Sequence, residues 1–112
     1  MLYNETKKII VVDEIKIAGS FKERLRGLMF KSRISKNEGL LMMGCNSIHT
    51  CFMRFAIDVV FMDMNSRVIF IKERVKPWRS SGFIKKAYMT LELPEGTVAD
   101  KNITVGDILI LS

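Results

Sequence analysis

Little in this chain could staple, anchor or export it. Its 112 residues hold only two cysteines, Cys45 and Cys51, too few for the disulfide framework of a small secreted domain. No apolar run approaches the roughly 20 residues needed to cross a bilayer. The opening stretch MLYNETKKIIVVDEIKIAG lacks the form of a secretory signal, because IIVV is short and charges follow at once. These absences point to a cytoplasmic protein with both thiols reduced. Prolines number two, Pro77 and Pro94, and no repeat, low-complexity tract or linker divides the chain, so residues 1–112 read as a single domain. Histidine and tryptophan occur once each, as His49 and Trp78.

What is present is an ordinary globular composition, 48% apolar and 27% charged, with a formal net charge of +6. The positive charge is clustered. Ser20 to Lys36 carries six basic residues against Glu23 alone, and Met64 to Leu91 carries seven against Glu73 alone. A basic face of this kind can attract an anionic small molecule or an acidic protein partner. The plainer reading is a solvated surface. Nucleic acid is a weaker partner class: the basic 72–86 segment interleaves Trp78 and Phe83, but no recognised nucleic-acid motif accompanies it.

The hydrophobic pattern is mostly that of strands. Ile9 to Ala18 reads as one strand with Ile15 and Ile17 on a common face. SFKERLRGLMF is the one convincing helix, short and amphipathic and near the N-terminus. Ser20 is its N-cap and Glu23 completes a capping box, while Phe21, Leu25, Leu28 and Met29 fall on one stripe. Gly27 implies an early stop or a close backbone approach. Further on, GLLMM and SIHTCF are short strand candidates, and DVVFMD and RVIFIKERV flank a turn at MNS. The run from Val59 to Met62 predicts a strand covered on both faces. KAYMTLEL alternates, with Met89, Leu91 and Leu93 expected inward and Thr90 and Glu92 outward. Six or seven strands and one helix in so small a chain predict a mostly β (α+β) fold, a small closed or partly open β-barrel. Both a monomer and an edge-paired homodimer are compatible with it.

Several pieces are similar to the family of uncharacterised bacterial and archaeal proteins known as domain of unknown function 192. They are RLRGLMF (Arg24 to Phe30), SIHTCFMRFAIDVVFMD (Ser47 to Asp63), RVI, KPWR (Lys76 to Arg79), LELPEGT and VGD, in the family's order across nearly the whole chain. The resemblance implies a compact, mostly β domain with a short helix and no established activity.

The residues themselves offer four chemistries. Zinc would need Cys45 and His49 on one ion, yet they lie about 13 Å apart in an extended strand at about 3.3 Å per residue, and no C-x2-C pair is present. No metal or other cofactor is therefore expected. A thiol- or histidine-dependent hydrolase would use His49 with Cys51, two weak catalytic candidates that share a strand face but lack a compelled orienting partner. A polar pocket would gather His49, Thr50, Arg54 and Asp58 with Arg26, Trp78 and Arg79 around a small ligand, Arg54 holding a carboxylate or phosphate. The competing reading makes the same residues a self-satisfied structural network. The fourth is the nucleic-acid module through residues 72–86. A non-enzymatic small-ligand or protein-interaction domain is the expectation that best fits a polar cluster without a complete catalytic set.

Overall fold

Two β-sheets share one core. The computed structural model describes the backbone of residues 1–112 and every side chain except that of Phe21. The elements are β1 (Leu2–Asn4), β2 (Ile9–Val12), β3 (Glu14–Ala18), α1 (Phe21–Arg26), β4 (Glu38–Met43), β5 (Ile57–Met62), β6 (Val68–Val75), β7 (Met89–Pro94), α2 (Thr97–Asp100) and β8 (Leu109–Leu111). A small sheet has the order β2-β1-β8, and a larger one the order β3-β4-β7-β5-β6.

The mostly β expectation holds, but the barrel does not form. Eight strands are divided between separate sheets, and the helix follows three of them instead of opening the chain. Two local events prevent closure. The expected single strand over Ile9–Ala18 breaks at Asp13, whose backbone N–H donates to Asn37 Oδ1, and the chain changes sheets there. The pairing of β3 with β4 is also parallel, so it needs a crossover, supplied by α1 and the loop to residue 37. Strands β3 and β6 are left as the edges of the larger sheet.

The capping box on α1 is complete: Glu23 N–H donates to Ser20 Oγ and Ser20 N–H to Glu23 Oε1, both at 3.1 Å. The helix stops after six residues because Gly27 turns to φ +47. The apolar stripe is consequently shorter than its sequence suggests. Leu28 is buried and Met29 half-buried beyond the helix end, while Leu25 is 54% exposed. Phe21, the first member of that stripe, has its side chain outside the described residues.

Strand β7 is the centre of the larger sheet, and both of its faces are covered. On one side Leu91 and Leu93 join Leu41 and Val60 beneath the small sheet, which contributes Leu2, Val11, Val12 and Leu109. On the other side Leu40, Met42, Val59 and Phe61 lie beneath Leu28, Ile48 and Met53. Thr90 and Glu92 belong to this second face. Glu92 is in register with Leu40 of β4 and Val59 of β5, so all three side chains share one side. The expected outward orientation of Thr90 and Glu92 is corrected accordingly: both are buried, because Leu28 in the α1 exit turn and the loop around Ile48 cover a face that alternation alone would assign to water.

Two buried carboxylates tie the ends of elements together. Asp58, fully buried in β5, accepts from the backbone N–H groups of Arg74, Gly96 and Val98 at 2.9 to 3.1 Å. Asp107 accepts from Asn4, Lys7 and the Thr104 N–H, joining the start of the chain to the loop before β8. Burial pushes its carboxyl upward, but hydrogen bonds from Lys7, Thr104 and Asn4, with the Lys7 charge, outweigh that and hold it at about 2.

Replacing Asp58 by alanine strands three N–H donors, and the expected loss is about 3 kcal/mol in urea unfolding. For Asp107 the folded value lies below the ordinary 3.8, so its contribution is present above that pH and is lost as pH falls from about 4 towards 2. Asp107→Asn is expected to be less stable at neutral pH and to lose less stability over that acid range, measured by denaturant midpoints.

Candidate functional site

The loop between β4 and β5 builds the site's outer wall. The sequence expectation of a strand at SIHTCF is met only by an isolated bridge between His49 and Ser80. Around it, Thr50 N–H donates to the Arg79 carbonyl at 2.8 Å and Trp78 N–H to the Thr50 carbonyl at 3.0 Å. The His49 loop and the Pro77-Trp78 turn are thus stitched together, backbone to backbone.

His49 is committed on both sides of its ring. The Cys51 N–H donates to Nδ1 at 3.1 Å, which leaves the proton on Nε2, 3.1 Å from the Leu25 carbonyl. The imidazole therefore engages a carbonyl in the last turn of α1, one of the acceptors a helix end leaves open. No ring nitrogen is left to activate the Cys51 thiol. Cys45 and Cys51 are both free thiols, and the Cys45 Sγ donates to the Ser47 carbonyl at 2.9 Å. Among the described residues no group of three or more His, Cys, Asp or Glu side chains could hold a metal ion.

The seven residues expected to form a ligand rim are distributed differently by the fold. Thr50 and Asp58 are fully buried, and each is engaged by protein. Thr50 Oγ1 donates to the Lys76 carbonyl and accepts from Arg79 N–H, while Asp58 serves three backbone donors. Neither has an oxygen turned to a rim. Arg54 is exposed and, among the described residues, forms no ion pair, with Asp58 or otherwise. Trp78 meets Phe52 edge-on at 4.7 Å, and Phe52 meets Phe30 at 5.3 Å, forming an exposed aromatic trio. All three adopt left-handed φ values between 62° and 65°, an uncommon choice for aromatic residues.

Arg26 and His49 do meet, across an open cavity of about 370 Å³. One wall is Arg24 to Met29 of α1 and its exit turn; the other is Cys45 to His49, with Met42, Met53 and Glu92 beneath. Arg79 lies instead on an adjoining groove of about 410 Å³ with Lys72, Arg74 and Lys76, and the two hollows share Ile48 and Ser80.

Glu92 is the residue that strand alternation missed. It is 2% exposed, and its Oε1 has no hydrogen-bond partner among the described residues. Burial pushes its carboxyl up to about 8. A Cβ built on Gly27 would lie 3.7 Å from Oε1 and 3.9 Å from Oε2. A Cβ at those distances would rest in ordinary contact over the carboxyl, and it is the φ of +47 that would strain any other residue. The signal available in sequence was a glutamate inside LELP, on a strand whose other face is wholly apolar.

The fold is a two-sheet β domain with an open hollow of about 370 Å³, lined by Arg24 and Arg26 on one wall and Glu92 beneath. The chain belongs to the domain of unknown function 192 family, described as "Uncharacterized ACR", whose profile matches residues 2–111. It is similar to a UPF0127 protein of Thermococcus sibiricus, 34% identical over 96% of this chain and 71% of that protein. A UPF0127 protein of Pyrococcus horikoshii is 37% identical over 86% of this chain and 85% of the relative. A crystal structure of a Novosphingobium aromaticivorans protein of unknown function shares the fold with a TM-score of 0.77 at 20% identity, covering 87% of this chain and 74% of that one.

Glu92 carries a testable stability signature. Its folded value lies above the ordinary 4.5, so stability is greatest below pH 4.5 and is lost as pH rises towards 8, where the buried group must ionise. Subtracting the pH profile of Glu92→Gln from that of the wild type should leave this downward slope; a flat difference between pH 4.5 and 8.5 would contradict the assignment.

Proposed function

We propose that this domain binds a small anionic molecule and does no chemistry on it. The observation that carries the reading is the open cavity of about 370 Å³ between α1 and the His49 loop. Its size lies in the range of small-molecule sites, and its walls combine apolar Leu28, Met42, Ile48 and Met53 with a few polar groups. Among the described residues neither Arg24 nor Arg26 is in an ion pair, and Arg26 is exposed at the mouth. A planar guanidinium in that position suits a carboxylate or phosphate. The rim we infer is thus Arg24, Arg26 and the His49 loop, in place of the wider set that included Thr50 and Asp58.

The hydrolase alternative has less support, since both nitrogens of His49 are engaged. The basic groove at Lys72, Arg74, Lys76 and Arg79 would serve an acidic partner or a nucleic-acid backbone, but Glu73 lies among its cations and the sequence carries no recognised nucleic-acid motif. The reading suits the cytoplasm, where two unpaired thiols stay reduced. Among the described residues no helix is long and apolar enough to cross a membrane.

The test is a titration of 15N-labelled protein with 4-methylbenzoate. Amide shifts should be confined to Gly27, Ile48 and their neighbours, and Arg26→Ala should weaken binding about tenfold. Shifts scattered over the surface, or an Arg26→Ala protein that binds as the wild type does, would remove the reading.

A further inference from the structure

The hollow has an inner end as well as a mouth, and its floor is chemically unusual. Three independent observations converge on Glu92. Its carboxyl is 2% exposed yet lines the cavity, and Oε1 is without a partner among the described residues. The flanking positions in register, Leu40 and Val59, are apolar and offer it nothing. Gly27 brings the α1 exit turn within reach without a side chain to fill the space above the carboxyl. A buried acid left unsatisfied by its own fold, at the end of an open hollow, is a group arranged for something that enters.

We propose that Glu92 determines the selectivity of this cavity, donating the O–H of its carboxyl to a carbonyl-type acceptor at the buried end of an anionic ligand. The proposal rests on the binding reading above and adds the ligand's second recognition element. The ligand class is then a small, largely apolar molecule with a carboxylate or phosphate at one end and a ketone, aldehyde, ester or amide oxygen at the other. The anion stays at the mouth with Arg26, and the apolar body lies against Leu28, Met42, Ile48 and Met53.

The charge distribution favours an acceptor over an ammonium group at the floor. The titratable side chains around the cavity are Arg24 and Arg26 from α1 and Cys45 and His49 from the loop, and none pairs with Glu92 among the described residues. An incoming cation would have to pass two arginines. Desolvation by burial, which holds the Glu92 carboxyl up to about 8, keeps the proton on the acid at neutral pH, so the O–H is available. Above that value the donor is lost and the ionised carboxylate repels the acceptor oxygen, so the dependence on pH follows directly.

Three probes that share a benzoate body separate the possibilities by NMR titration at pH 7. The expected order is 4-acetylbenzoate about tenfold tighter than 4-isopropylbenzoate, which has nearly the same shape and no acceptor, with 4-(aminomethyl)benzoate weakest. Glu92→Gln keeps a neutral N–H donor and should keep the acetyl preference, whereas Glu92→Leu should abolish it. Between pH 8 and 9.5 the wild-type preference should fall by up to tenfold per pH unit, until it disappears, while that of Glu92→Gln stays constant. Equal binding of the acetyl and isopropyl probes, both still weakened by Arg26→Ala, would overturn this inference and leave the binding reading standing. Tightest binding of the amine would overturn it in favour of an ionised floor. Failure of all three probes to shift any cavity amide would overturn both.

Discussion

A central strand that is covered on both faces cannot place a polar side chain in water, whatever its own sequence alternation. Strand β7 is such a strand, with the small sheet over Leu91 and Leu93 and a layer of Leu28, Ile48 and Met53 over the face of Thr90 and Glu92. Thr90 resolves the conflict by donating to the Cys45 carbonyl at 2.9 Å. Glu92 does not: its Oε1 has no hydrogen-bond partner among the described residues. An ionised carboxylate there would cost several kcal/mol in desolvation, so the group gives up its charge and remains a buried acid. The cavity, the glycine at position 27 and the candidate site all exist because of that arrangement.

The polar residues of the domain fall into two populations. Asp58, Thr50, Asp107 and His49 are fully used by the fold, each joining segments distant in sequence. Asp58 joins β5 to the end of β6 and to α2; Asp107 joins the first strand to the loop before the last. His49 holds its own loop to the end of α1. Glu92 and Arg26 are the second population, one buried and one exposed, and neither is consumed by hydrogen bonds or ion pairs among the described residues. Groups left over after a fold has satisfied its own needs are the ones available to a ligand. Both ring nitrogens of His49 belong to the first population, engaged by the Leu25 carbonyl and the Cys51 N–H.

The exposed trio of Phe30, Phe52 and Trp78 has a different status. Its rings contact one another, and each backbone sits in a left-handed conformation that costs roughly 1 kcal/mol or more for an L-residue. Two hydrogen bonds lock these turns: Phe30 N–H to the Phe52 carbonyl, and Trp78 N–H to the Thr50 carbonyl, both at 3.0 Å. The cluster thereby joins three loops that are distant in sequence.

Much of the architecture was determined by the sequence alone, because it rests on interactions between near neighbours. The capping box at Ser20 and Glu23, the stop at Gly27 and the β5–β6 hairpin are all set within a few residues of chain. So was membership of the family, carried by motifs strung along the whole chain. What only the tertiary structure decided was which face of each strand is covered. Alternation in KAYMTLEL reports a difference between faces, not the presence of water on one of them, and the α1 exit turn at Leu28 with the loop around Ile48 closes over the second face from far away in sequence. That long-range covering buried Thr90 and Glu92. The site is a product of that covering, which is why its floor residue was out of reach of any local pattern.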